Sequence, residues 1–158
     1  MTNFYSKFKQ KASFLSILAT FSAILAIFTI SGCSKSGASE QEQMISFAKS
    51  HAINYTTDAS GILYEIITPG NSTHPTISNT ITVTYTGLLM NGTQFDAGTI
   101  TYPLSQLIPG WGIAVPKIGV GGEIKVLIPS SLAYGSSGAG SIPGNAPLYF
   151  DIKLSAVK

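Results

Sequence analysis

Residues 83–98 read VTYTGLLMNGTQFDAG, and this stretch decides the fold. With Ile81 just ahead of it, Ile81, Val83 and Tyr85 alternate with Thr82, Thr84 and Thr86. That period of two places one face of a strand on a core and the other toward water. Asn91-Gly92 follows, a dipeptide that tolerates the backbone a tight hairpin turn demands. The chain then returns through Phe95 and Asp96, an aromatic ring and a carboxylate side by side. Working outward, Ile124, Val126 and Ile128 alternate with Lys125 and Leu127. Leu148, Phe150, Ile152 and Leu154 alternate with Tyr149, Asp151, Lys153 and Ser155. Pro-Gly pairs at 69–70, 109–110 and 143–144 punctuate these runs. Between them, Leu107 to about Val115 is the one apolar segment of helical length, and Pro116 limits it. The pattern predicts an α+β domain over residues 57–158, an antiparallel β-sheet wrapped around one short α-helix.

Composition narrows the function. The chain has 158 residues, 44% hydrophobic and 10% charged, enough apolar material for one packed domain with appendages. All nine basic residues are lysines, and three of them (Lys7, Lys9, Lys11) precede the apolar run that begins at Phe14. Beyond that run, six lysines face seven carboxylates, one net negative charge. A domain of this balance without arginine lacks the basic footprint that nucleic-acid binding requires. Cys33 is the single cysteine, so the chain can form neither an internal disulfide nor a CxxC pair, and it holds no Cys/His cluster for a metal. No cofactor is expected.

Residues 1–32 read as a secretory signal: a lysine-bearing start, a 17-residue apolar stretch from Phe14 to Ile30, then Ser31 and Gly32. The stretch is at the short end for a membrane span. Ile30-Ser31-Gly32-Cys33 resembles the bacterial lipobox, which implies cleavage before Cys33 and acylation of its thiol and new amino terminus. Cys33 is then the expected lipid attachment, holding the protein to the membrane of a bacterial cell envelope. Ser34 after it favours the outer membrane where the cell has one. Residues 33–56 are expected to be a tether containing a short helix near 40–52. Ser39 and Glu42 have capping-box spacing ahead of Met44, Ile45, Phe47 and Ala48, and the helix is expected to pack on the domain. His51 and His74 read as surface or packing residues.

The sequence carries no nucleophile–base pair, no paired carboxylates and no phosphate loop. It does place aromatic residues beside turns: Tyr85, Phe95, Tyr102, Trp111, Tyr134 and Phe150, with Asp96 next to Phe95. Aromatics on strands are ordinarily core, and spacing alone leaves core and binding pocket both open. Here four segments resemble the FKBP family in its own order. VTYTGLLMNGTQFDAG (83–98) is similar to its V-x-Y-x-G, turn and F-D signature. LIPGW (107–111) resembles its helix start, IPSSLAYGSSGAGSIP (128–143) its A-Y-G strand end and following loop, and PLYFDIKL (147–154) its closing strand.

The resemblance implies a peptidyl-prolyl cis-trans isomerase acting on proline-containing polypeptides, as a monomer. Carried over by position, the catalytic set is Tyr85, Phe95, Asp96, Tyr134 and Phe150. The substrate-binding set is Tyr102, Leu107, Ile108, Trp111 and Ile142. Trp111 is then the floor for the proline ring, Tyr85, Phe95 and Phe150 the walls, and Leu107 and Ile108 the border along the peptide backbone. Tyr134 offers its hydroxyl to a substrate carbonyl, and Ile142 closes the loop side. The segment between Asp96 and Tyr102 is short and lacks an arginine to pair with Asp96. Hydroxyls, that of Tyr85 among them, are left to hold the carboxylate. Tyr102 also stands where phenylalanine is usual, and Gly144 where a second proline is common. The alternative is the same fold as a non-catalytic proline-peptide-binding or chaperone module.

Overall fold

The computed structural model describes residues 37–158; the leader and Cys33 lie outside the described residues. Helix α1 (Glu40–Ser50) starts on the capping box read from the sequence. Ser39 Oγ accepts the Glu42 amide at 3.2 Å, and the Glu42 carboxylate accepts the Ser39 amide at 2.8 Å. Its buried residues Met44, Phe47 and Ala48 recur at the three- and four-residue spacing that forms one helical stripe.

Six strands follow: β1 (Thr56–Thr57), β2 (Leu63–Thr68), β3 (Thr80–Leu89), β4 (Gln94–Pro103), β5 (Glu123–Ile128) and β6 (Leu148–Val157). They form one antiparallel sheet in the order β1-β2-β5-β6-β3-β4. The turn at Asn91-Gly92 joins β3 to β4 as a hairpin. Strand β6, last in the chain, lies in the interior of the sheet.

The alternation in the sequence sets the inner face. Ile81 and Val83 of β3, Ile124, Val126 and Ile128 of β5, and Leu148, Phe150, Ile152 and Leu154 of β6 are all buried there. Against them lies helix α2 (Pro109–Ala114), with a 3₁₀ turn on either side, Leu104–Gln106 and Val115–Lys117. This helix is shorter than the apolar segment suggested. Ile108 precedes Pro109 and is held extended at ψ 144°, so the helix cannot begin earlier. Pro116 then stops it from running on. Gly110 lets α2 rest directly on β5, because a Cβ there would lie 2.5 Å from Ile128 Cγ2.

On the outer face the sequence reading is incomplete. Thr82 and Thr84 point outward, and their hydroxyls pair with those of Thr101 and Thr99 at 2.9 and 2.8 Å. Leu127 and Tyr149, which alternation assigns to that same face, are nevertheless buried. They pack with Leu63 under Met44, Phe47 and Ala48, so α1 covers part of the sheet from behind. The Phe47 and Tyr149 rings are 5.1 Å apart. His51 stacks on Phe47 at 3.9 Å, and His74 contacts the Pro116 carbonyl at 3.1 Å, both packing roles.

Candidate active site

The hairpin brings Tyr85 on β3 and Phe95 and Asp96 on β4 to one end of the inner face. Tyr85 pairs with Gly98 across the hairpin. Between Gly87 and Leu88 the register shifts by a bulge, and bulges re-aim the side chains beside them. Gly87 itself is required by close approach. A Cβ there would sit 2.6 Å from Phe95 Cζ and 3.0 Å from Phe150 Cε1.

The rings meet edge to face. Phe95 and Phe150 are T-shaped at 5.6 Å and 90°, Phe150 and Trp111 at 5.3 Å and 88°, Tyr85 and Trp111 at 5.2 Å and 80°. Such pairs set positive ring edges against negative faces, each contributing about 0.5–1.5 kcal/mol beyond burial. Together they line a small cavity, open to solvent on one side, with Asp96, Ile100, Leu107, Ile108 and Tyr134. Trp111 is at its base and only 3% exposed. Its Nε1 is the one buried side-chain polar atom without a hydrogen-bond partner among the described residues.

Besides that indole N–H, the side-chain polar chemistry lining the pocket is confined to three groups. Tyr85 donates its hydroxyl to Asp96 Oδ2 at 2.5 Å. Burial first, then that hydrogen bond and the Asp96 charge, push the Tyr85 hydroxyl up to about 12. Burial and the Asp96 charge also raise Tyr134. Both phenols therefore stay protonated at neutral pH; Tyr85 donates to Asp96, and the Tyr134 hydroxyl lies at the rim with its proton available. Asp96 is the single carboxylate lining the pocket, held by a hydroxyl where the chain has no arginine to offer.

Of the residues carried over from the resemblance, Tyr85, Phe95, Asp96, Leu107, Ile108, Trp111, Tyr134 and Phe150 come together in this cavity. Tyr102 and Ile142 do not line it. Tyr102 pairs with Ile81, one step down the ladder from the pocket, and is 45% exposed at the edge strand. Ile142 is buried in the main core, and its amide and carbonyl form a bridge with Ala139 in the loop. The residue missed is Ile100, which pairs with Val83 next to the Tyr85 pair and supplies the aliphatic side of the cavity. Ile100 and Tyr102 share a face, so alternation alone could not choose between them.

Comparison with known proteins agrees with this geometry. Residues 71–155 match the family described as FKBP-type peptidyl-prolyl cis-trans isomerase. The FKBP-type isomerase FkpA of Aeromonas hydrophila is 40% identical over 123 residues, covering 75% of this chain and 45% of that protein. The crystal structure of FkpA from Escherichia coli superposes with a TM-score of 0.69 at 34% identity, covering 75% of this chain and 59% of that one. The crystal structure of a peptidyl-prolyl cis-trans isomerase from Pseudomonas syringae pv. tomato gives 0.66 at 33% identity, covering 73% of this chain and 90% of that one. An α+β sheet closed on a short helix, with an aromatic cavity at its end, defines an FKBP-like domain. The chain belongs to the FKBP-type peptidyl-prolyl cis-trans isomerase family. It spans about half the length of the curated relatives it matches.

Proposed function

We propose that this pocket accelerates rotation about Xaa-Pro bonds in polypeptides. The observation that carries the proposal is a small cavity walled by Tyr85, Phe95, Trp111 and Phe150, whose one carboxylate is already engaged by Tyr85. An Xaa-Pro imide turns about a partial double bond with a barrier of about 18–20 kcal/mol. Uncatalysed exchange takes tens to hundreds of seconds. Lowering that barrier by about 7 kcal/mol brings exchange near the millisecond range. No bond breaks, so the reaction asks for no acid, nucleophile or metal.

The planar imide is dipolar, and twisting it destroys the resonance and returns a lone pair to nitrogen. An apolar enclosure favours the less polar twisted form, while a fixed proline ring lets the carbonyl swing in one orientation. In this reading Trp111 is the floor under the ring, and Tyr85, Phe95 and Phe150 wall the space the carbonyl sweeps. Leu107 and Ile108 border the peptide backbone, and Tyr134 donates to a substrate carbonyl. Asp96 fixes the walls through Tyr85 rather than moving protons. A protease-coupled assay on an Xaa-Pro peptide tests this. The chain should accelerate cis-to-trans conversion in proportion to its concentration. Binding of the peptide without acceleration would instead establish a proline-peptide-binding module.

We further propose that the protein acts as a monomer lipid-anchored through Cys33 in a bacterial envelope, on clients folding there. The support is the Ile-Ser-Gly-Cys sequence after the apolar run. Acyl chains at about 0.8 kcal/mol per buried CH₂ would hold it there. Mass spectrometry of membrane-extracted protein should find Cys33 as the first residue and acylated, and Cys33→Ala should lose the anchor. An intact leader or an unmodified cysteine would refute this part.

A further inference from the structure

Helix α1 lies on the outer face of the sheet and the pocket on the inner face, yet one chain of hydrogen bonds joins them. The Glu40 carboxylate, at the first turn of α1, accepts the Ser130 amide at 2.7 Å with one oxygen and the Ser130 hydroxyl at 2.7 Å with the other. Ser130 opens the 3₁₀ turn Ser130–Leu132 after β5 and is only 5% exposed. Its carbonyl in turn accepts the amides of Ala133 at 2.9 Å and Gly135 at 2.8 Å. Those two residues flank Tyr134. The far side of the loop is tied as well, since Gly138 donates to the Tyr134 carbonyl at 3.2 Å and Asn145 to the Gly135 carbonyl at 2.9 Å.

We infer that Glu40 is a positioning residue for Tyr134, acting through Ser130. Both donors of a buried serine are committed to a single carboxylate 90 residues away in sequence. Such charge-assisted bonds are the strong ones and hold their partners in one geometry. The amide and hydroxyl fix Ser130, and the Ser130 carbonyl fixes the backbone on both sides of the tyrosine. Nothing else in the first turn of α1 reaches the pocket loop with such geometry. The capping box uses Ser39 and Glu42, which leaves Glu40 for the loop. Docking of the helix on the outer face and presentation of the Tyr134 hydroxyl on the inner face are thereby one event.

This inference rests on the isomerase reading for its kinetic part and on hydrogen exchange for its structural part, so the two can fail separately. In the full chain, Glu40→Ala should speed exchange at the Ala133 and Gly135 amides by roughly tenfold, whatever the activity. It should lower kcat/KM about threefold, bounded by what one positioned hydroxyl contributes. In a Tyr134→Ala background the same substitution should cost nothing further, because its target is gone. Glu40→Gln keeps an acceptor for the Ser130 amide and offers its own amide to the hydroxyl, and should recover most of the rate. Ser130→Ala, which removes only the hydroxyl, should fall between. Unchanged exchange at Ala133 and Gly135 in Glu40→Ala would overturn the inference. So would a full-sized rate loss that persists without the Tyr134 side chain. A parent chain inactive on every Xaa-Pro peptide, with exchange responding as described, would overturn the isomerase reading and leave the coupling standing.

Discussion

Gly87→Ala tests the pocket with a single added methyl. Its Cβ would meet Phe95 Cζ at 2.6 Å, Phe95 Cε2 at 2.9 Å and Phe150 Cε1 at 3.0 Å. Comfortable carbon–carbon contact begins at about 3.5 Å, so a ring must retreat by about 1 Å. Phe150 is 3% exposed and braced edge-on against Trp111, whereas Phe95 is only half-buried, so Phe95 gives way. Overpacking of this kind costs about 1–3 kcal/mol. The loss of glycine freedom in the unfolded chain returns about 0.4–1 kcal/mol, since the Gly87 backbone suits an alanine. The net loss is at most about 2.6 kcal/mol, below the stability of an ordinary domain. Displacing a wall of the reacting site by that distance costs far more in rate, on the order of 10²-fold in kcat/KM. Urea unfolding followed by fluorescence of Trp111, the only tryptophan, gives the first quantity, and the protease-coupled assay gives the second. A folded Gly87→Ala variant within about threefold of the parent kcat/KM would show that the Phe95–Phe150 apposition is dispensable and that enclosure is the wrong account.

Tyr134→Phe removes one hydrogen bond of about 0.5–1.5 kcal/mol and should slow catalysis by at most roughly tenfold. Phe95→Ala, compared with it on one peptide at a temperature where both are folded, should cost considerably more; the reverse order would make the hydroxyl the main source of rate. The Tyr85 hydroxyl is held up to about 12 in the folded chain, above about 10 for a free phenol. The fold therefore binds that proton more tightly, a contribution fully present below about pH 10 and lost as pH rises toward about 12. Tyr85→Phe should make stability fall less steeply across that window in urea titrations, and an unchanged slope would refute the assignment.

Much of the inner face was legible because alternation is a local signal. Ile81-Val83-Tyr85, Ile124-Val126-Ile128 and Leu148-Phe150-Ile152-Leu154 each point where the period of two sends them. The capping box at Ser39 and Glu42 was likewise a three-residue relation and fell where it was read. What local signals cannot carry is which face gains a second covering. Leu127 and Tyr149 look outward by period and are buried because α1 arrives from a distant part of the chain. Periodicity also assigns faces but not levels, so Ile100 and Tyr102 were indistinguishable until the ladder placed Ile100 beside Val83. The Glu40–Ser130 pair had no signal at all, since neither residue type nor spacing foretells a contact across 90 positions.

Strand β6 is the last of the six in chain order, yet β5 and β3 both pair with it and not with each other. Until residues 148–157 have left the ribosome, the sheet exists at most as two pieces, β1-β2-β5 and β3-β4. Each of those pieces presents a bare edge of unpaired backbone amides and carbonyls where β6 will go, beside an uncovered apolar face, the kind of surface that aggregation and proteolysis act on. The same ten residues deliver Phe150, so a nascent chain lacks a wall of the pocket for as long as it lacks the seam of its sheet. During vectorial synthesis the domain is therefore all-or-none, acquiring its cooperativity and its binding cavity in the same closing step.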